Sequence, residues 1–226
     1  MQLDLRELPV YWINLDKDTA NASAMEAMLK EHGFKNSIRV PALRPSDIQP
    51  PPPSQFYGFA CGMSHVSILE KHDELPYIVL EDDAKITADF KPVIDLPDTP
   101  VDAVYLGTSS GNPHYMASSI NADYFRIGKV LSTHAILYLS TRFRRAVSSV
   151  TREMVYRYKQ PVDIGVAHIL ENHMVLAPKM PYFVQADDRE SNNKWGKITA
   201  RPLQDRGSVF PPANGVAVSA QGIMVQ

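Results

Sequence analysis

Residues 77–83 read Tyr-Ile-Val-Leu-Glu-Asp-Asp. The first four are apolar strand formers in an unbroken run, which reads as a strand buried on both faces. The run passes directly into three acids. In an open parallel sheet, ligands bind at the carboxyl ends of the strands, so the acids fall where a site is expected. On an extended backbone Glu81 and Asp83 share a face and Asp82 points the other way. Two carboxylates on one face repel each other, and a hard divalent cation removes the repulsion while satisfying its own need for oxygen ligands. Magnesium or manganese also holds phosphate oxygens, and can stabilise the charge that a departing nucleotide diphosphate gains. A solvated strand end capped by acids fits the same seven residues, and both readings stand at this point.

Upstream, Leu8 to Leu15 is a second apolar run and predicts a buried first strand. Thr19 to His32 has helical spacing, with Ala24, Met25, Met28 and Leu29 on one face and Gly33 as the stop. Ser37 to Ala42 gives a second strand, so the opening is β-α-β. Pro45 to Pro53 holds five prolines, four consecutive, and reads as an exposed, semi-extended connector that can also shape a groove. Gly62 to His72 reads as a helix, with Ser64 as its N-cap and Val66, Ile68 and Leu69 facing inward. Downstream, strands are expected at Ala103–Leu106, Tyr124–Val130 and Ala135–Leu139, helices at Thr141–Arg157 and Asp163–Glu171, and an apolar strand from His173. After Pro178 the pattern weakens. These elements make one α/β domain over residues 1–210 with a C-terminal tail over 211–226.

The 226 residues suffice for one sizeable core. With 44% hydrophobic and 21% charged residues and a net charge of -2, the bulk composition gives no sign of a nucleic-acid or anionic-membrane partner. A cluster of Arg142, Arg144, Arg145 and Arg152 reads as a solvated helix face or as a phosphate contact. Cys61 is the single cysteine, which excludes an intramolecular disulfide and points to a reducing compartment. No run approaches the ~20 apolar residues of a membrane helix, and Met1 to Leu8 lacks a signal-peptide core. The expectation is a cytoplasmic, untethered protein, in the host cytoplasm if the chain is viral.

Several short marks occur in a recognisable order. Tyr11 to Leu15 followed by Asp16 is an apolar strand ending in Ile-Asn-Leu-Asp; Cys61, Gly62, Met63, Ser64 and His65 form a Cys-Gly-x-Ser-His segment; Val79 to Asp83 is Val-Leu-Glu-Asp-Asp. Then come Tyr105-Leu106-Gly107, Thr133 to Tyr138, Pro161-Val162-Asp163, and Gln185 followed by Ser191. In this order, across residues 8–192, the chain resembles glycosyltransferase family 25, the bacterial lipooligosaccharide β-galactosyltransferases and the procollagen galactosyltransferases. The resemblance implies a GT-A-like, nucleotide-binding mixed sheet flanked by helices. It implies an inverting transfer of a hexose from a UDP-sugar to an acceptor hydroxyl on a saccharide, protein or other molecule, with manganese or magnesium as cofactor. By position, Asp83 would bind the metal with Glu81, and Glu81 or Asp82 would contact metal or ribose. Ile13, Asn14 and Leu15 would lie under the nucleotide, and Ser64 and His65 would line the donor site. One departure is plain: the family often places arginines for the diphosphate after Asn-Leu-Asp, and Thr19 to Met25 contains neither Arg nor Lys.

Inversion by single displacement needs one base at the acceptor hydroxyl. Asp163, in the Pro-Val-Asp mark, is the first choice, its alternative role being a helix cap. Asp187 and Asp188 are the other choices. His134 and His173 are further ligand choices for the metal. Tyr11 and Trp12 can stack on a base or pack in the core, and Cys61, with no adjacent base, reads as a packing residue. Two other functions compete with transfer: a metal-dependent phosphohydrolase or nucleotidyltransferase, and a non-catalytic binding or assembly protein on a transferase fold.

Overall fold

The computed structural model describes residues 1–49, 57–108, 114–186 and 203–211. In chain order its elements are β1 (Gln2–Asp4), β2 (Pro9–Asn14), α1 (Thr19–Glu31), β3 (Asn36–Pro41), α2 (Tyr57–Lys71), β4 (Tyr77–Glu81), β5 (Ala84–Ile86), β6 (Val93–Asp95), β7 (Ala103–Tyr105) and β8 (Met116–Ser119). They continue with β9 (Tyr124–Gly128), β10 (Ala135–Tyr138), α3 (Thr141–Glu153), α4 (Val162–Leu170), β11 (Val175–Pro178) and β12 (Phe183–Gln185). Eight strands form one mixed sheet in the order β3-β2-β4-β10-β7-β11-β9-β8. β3, β2 and β4 are parallel, β10 is antiparallel to both β4 and β7, and β7 is parallel to β11. This is the expected mixed sheet flanked by helices in a single α/β domain.

The period of two along each central strand sorts side chains onto two cores. Tyr11, Ile13, Tyr77, Val79, Tyr105, Ile136 and Tyr138 share one face with inward residues of α2, α3 and α4. Val10, Trp12, Ile78, Leu80, Val104, Leu137 and Leu176 share the other with Met25 and Leu29 of α1. The expected inner residues of α2, Val66, Ile68 and Leu69, are all buried. In α1, Met25 and Leu29 are buried and Met28 packs beside them, but Ala24 is exposed and Ala22 takes its place. Gly33 ends α1 with φ of 78°, a conformation that favours glycine. Tyr11 stacks on His72 with ring centroids 4.0 Å apart, and Trp12 is 1% exposed, so both aromatics serve the core rather than a nucleobase.

Other expectations are corrected. α2 begins at Tyr57, not Gly62, which puts Ser64 inside the helix rather than at its cap; its Oγ donates to the Ala60 carbonyl, 2.7 Å away. The long helix expected from Thr141 changes at Met154 into a π-helical turn that closes at Lys159, in the left-handed conformation. Of the arginine cluster, Arg142 and Arg145 are exposed and Arg152 is half-buried, as a solvated helix face requires, and Arg144 alone departs from that reading. Arg144 is buried, donates to the Leu69 and His72 carbonyls at the end of α2, and pairs with Asp73 at 2.6 Å. Arg152 pairs with Glu70, and Arg142 with Asp102. Pro50–Pro53 of the proline run, Asp187, Asp188, Ser191 and residues 212–226 lie outside the described residues. Among the described residues, no helix is long and apolar enough to cross a membrane.

Asp102 ties together the sheet edge away from the acidic run. Its carboxylate accepts from Ser140 Oγ at 2.6 Å, from the Met174 amide at 2.9 Å and from Arg142, with His173 Nδ1 3.5 Å away. Ser140 in turn caps α3 by accepting from the Phe143 amide. Burial works against ionisation of Asp102, but His173, Arg142, Ser140 and Met174 together hold its carboxyl below the ordinary range. Asp102→Ala therefore leaves several donors without an acceptor, and the expected cost is ~3 kcal/mol of unfolding free energy. Urea denaturation of the two proteins at neutral pH measures it, and a loss under ~1 kcal/mol would contradict the anchoring role.

Candidate active site

The parallel strands β2 and β4 end together, and β10 starts at the same edge, because Ala135 pairs with Leu80 and Trp12 with Leu80. The edge therefore collects Asn14, Glu81 and the Thr133-His134 pair. The chain stays extended to Glu81 and turns through Asp82 and Asp83 before β5. The three acids consequently diverge, instead of alternating along a straight strand.

Glu81 faces α2 and the start of β10. Its Oε1 accepts from Thr133 Oγ1 at 2.6 Å and lies 3.1 Å from His65 Nε2. Burial opposes its ionisation, yet His65 and Thr133 hold the carboxyl below the ordinary glutamate range. Asp82 faces α1. Its Oδ2 accepts from Asn14 Nδ2 at 2.6 Å, and Asn21 contributes a further bond. Burial raises the Asp82 carboxyl against these bonds. Asp83 faces β12: Gln185 Nε2 donates to its Oδ2 at 3.1 Å, and its carbonyl accepts from the Ala186 amide.

Asn14 is buried and bridges outward as well as inward, since its Oδ1 accepts from Arg39 Nε at 2.9 Å. Arg39 also reaches Asp16 at 2.7 Å. β3 thus places a guanidinium at this edge, paired with Asn14 and Asp16. Ile13 is buried and Leu15 half-buried beside it. Ser64 spends its hydroxyl on the backbone of Ala60 and Leu43, which fixes the chain after β3 against α2.

Asp163 reaches the site from the first turn of α4. The cap of α4 is Pro161 and makes no side-chain cap bond, so Asp163 is not the N-cap. Its Oδ1 accepts from the Ile164 amide at 3.0 Å. Burial raises its carboxyl, and the charge of Glu81 adds to the rise. The close approach of α2 and α4 places it there: a Cβ at Gly62 would come within 2.6 Å of Val162 Cγ1. Cys61, next to Gly62, reports the local field. Burial raises its thiol most, followed by the charges of Glu81, Asp83, Asp82 and Asp163. The first turn of α4, with Asp163, thus lies beside the part of α2 whose Cys61 and His65 reach Glu81, although the two segments are far apart in the chain.

Of the two added histidine ligands, His173 is at the opposite sheet edge with Asp102 and Phe143, which corrects that expectation. His134 is at the right edge but 1% exposed. Its Nδ1 lies 2.6 Å from Ser132 Oγ and its Nε2 packs against Gly107, where a Cβ would meet it at 2.1 Å. The oxygen donors of the acidic turn, and the weight of negative charge on Cys61, fit a hard cation bound by one or two carboxylates with phosphate oxygens completing its shell. Thr133, Gln185, Asn21 and Arg39 are the residues that sequence reasoning left without roles. Thr133 and Gln185 lay within recognised marks, whereas Asn21 and Arg39 carried no signal before the β3-β2 pairing was known.

No family model matches the chain, and no curated protein matches it. Among solved structures, it is similar to one described as a glycosyltransferase involved in the glycosylation of the major capsid of PBCV-1. The TM-score is 0.39 and the identity 14%, over 69% of this chain and 77% of that one.

The bonds on Glu81 lead to a stability expectation. Thr133→Val removes a hydrogen bond to a largely buried carboxylate at nearly constant volume and should cost ~2 kcal/mol at pH 7. A depressed folded-state value means that this stabilisation is complete above the unfolded glutamate value of ~4.3 and is lost as pH falls below it. The gap between wild type and variant in urea denaturation should accordingly close under acid conditions. A gap independent of pH would show that the bond does not act through the charge of Glu81.

Proposed function

We propose that the chain is a metal-assisted, inverting glycosyltransferase that moves a hexose from a UDP-sugar to an acceptor hydroxyl. The observation that carries this reading is the approach of the first turn of α4, with Asp163, to α2 at Gly62, beside the part of α2 whose Cys61 and His65 reach Glu81 at the start of the acidic turn. The ordered marks shared with glycosyltransferase family 25 support the same reading and supply the donor class.

In this reading Asp83 and Glu81 would hold a manganese or magnesium ion between them, each keeping its own neighbours at the turn. When bound, such an ion supplies positive charge for the diphosphate leaving group. The remaining work falls to the chain. His65 and Thr133 fix Glu81 through its Oε1, and Gln185 fixes Asp83. Asn14 holds Asp82 in place, and the strand end that carries Ile13 and Leu15 would lie beneath the nucleotide. Asp163 takes the proton of the acceptor hydroxyl as the new glycosidic bond forms. A carboxylate raised by burial is a stronger base than an ordinary one, which suits that task. Because base and acidic turn come from separate segments, they can flank the sugar carbon from two sides, as a single displacement requires.

Asp83→Asn should abolish turnover and manganese-dependent UDP binding without unfolding the chain; undiminished wild-type turnover in excess EDTA would refute the metal's part. Asp163→Asn should lower turnover by ~10²-fold or more with little loss of UDP binding. The base acts deprotonated, so activity should decline as pH drops through the raised Asp163 value, and the variant should lack that acid limb. For a gluco- or galacto-configured donor, the anomeric proton coupling of the product should report a β linkage formed from an α donor. An α-linked product would overturn both the base assignment and the family reading.

A further inference from the structure

Cys61 and His65 are one helical turn apart on α2, so their side chains project from the same face. That face meets Glu81. One ligand atom from each of Cys61, His65 and Glu81 lies within 4.8 Å of the other two. The pair His65 Nε2 and Glu81 Oε1 is closer, at 3.1 Å. His65 is 4% exposed, so its imidazole is committed to this spot. The helix cannot turn away, because the backbone at Gly62 lies directly on Val162 and Ser64 is bonded to the Leu43 amide.

We propose that Cys61, His65 and Glu81 form a binding site for a thiophilic divalent cation, with zinc the natural occupant. Sulfur, nitrogen and oxygen in one set suit zinc, whereas the oxygen-only acidic turn suits magnesium or manganese. Metal–ligand bonds of about 2.0–2.3 Å place tetrahedral ligand atoms roughly 3.3–3.8 Å apart, so the three need contract by only about 1 Å. Three protein ligands leave the fourth position to water, as in open zinc sites. On binding, the Cys61 S–H bond breaks, its proton passes to solvent, and the sulfur–metal bond forms. Glu81 belongs to both sets of ligands, so bound zinc takes a carboxylate from the manganese site; this consequence, unlike the binding itself, rests on the function proposed above.

Cobalt(II), a spectroscopic substitute for zinc, tests the site in the full chain. One equivalent should produce a thiolate-to-cobalt charge-transfer band together with tetrahedral ligand-field bands, and zinc should bleach both. Cys61→Ser, nearly isosteric, should remove the charge-transfer band and weaken zinc binding by at least ~100-fold, the upper end of what loss of an outer-sphere partner costs. Zinc should also protect the wild-type thiol from alkylation, a readout that needs no variant. Asp83→Asn should keep the cobalt spectrum even though it removes manganese-dependent UDP binding, which separates failure of this site from failure of the proposed function. Absence of the charge-transfer band at one equivalent, its persistence in Cys61→Ser, or its loss in Asp83→Asn would each overturn the assignment.

Discussion

Strand β4 sets the terms for the rest of the molecule. Tyr77, Ile78, Val79 and Leu80 have no exposed surface, so both faces need apolar cover and both backbone edges need hydrogen-bond partners. β2 supplies one edge in parallel and β10 the other in antiparallel. Ionised groups cannot be tolerated inside such a strand without dedicated partners. The first acid therefore comes at the last paired residue, and the next two leave the sheet in a turn. The antiparallel approach of β10 then brings Thr133 to Glu81 from a segment some fifty residues away, which gives the first acid a donor where the strand ends.

Close helix contacts complete the arrangement. Gly62 admits Val162, and Gly165 admits Met154, whose Cγ would lie 2.3 Å from a Cβ at that position. A side chain at either glycine would push α4 outward and take Asp163 with it. Two residues that carry no chemistry thus decide whether a carboxylate from the second half of the chain reaches acids from the first. Arg144 serves the same end from below, since it holds the final carbonyls of α2 and fixes how far the helix extends along the sheet.

Much of this was legible in the sequence, for identifiable reasons. β2, β4, β7 and β10 lie in the middle of the sheet and must be apolar on both faces, so their runs stand out. α1 and α4 begin and end within one residue of the positions that their spacing suggests. The short paired strands β1 with β6 and β5 with β12 were not legible, because three residues pairing at the margin of a core carry too little pattern. Ser64 was misjudged as a cap because helix α2 extends upstream to Tyr57, through residues to which no pattern assigned an element. At the site, Glu81, Asp82, Asp83, Asn14 and Asp163 could be picked out, but not their division of labour. The alternation argument assumed an extended backbone through Asp83, and the turn at Asp82 sends each carboxylate to a different neighbour.

The first turns of α1 and α4 both border the acidic edge: Asn21 of α1 bonds Asp82, and Asp163 is in the opening turn of α4. Amide dipoles at a helix start carry a partial positive charge that belongs to the backbone. It neither titrates nor depends on any one side chain, and a mutation that strips arginine from the neighbourhood leaves it in place. The backbone at the acidic edge therefore sets a partial positive charge beside Asp82 and Asp163 that is covalently inseparable from the fold, and sequence drift can rewrite the basic residues nearby without erasing it.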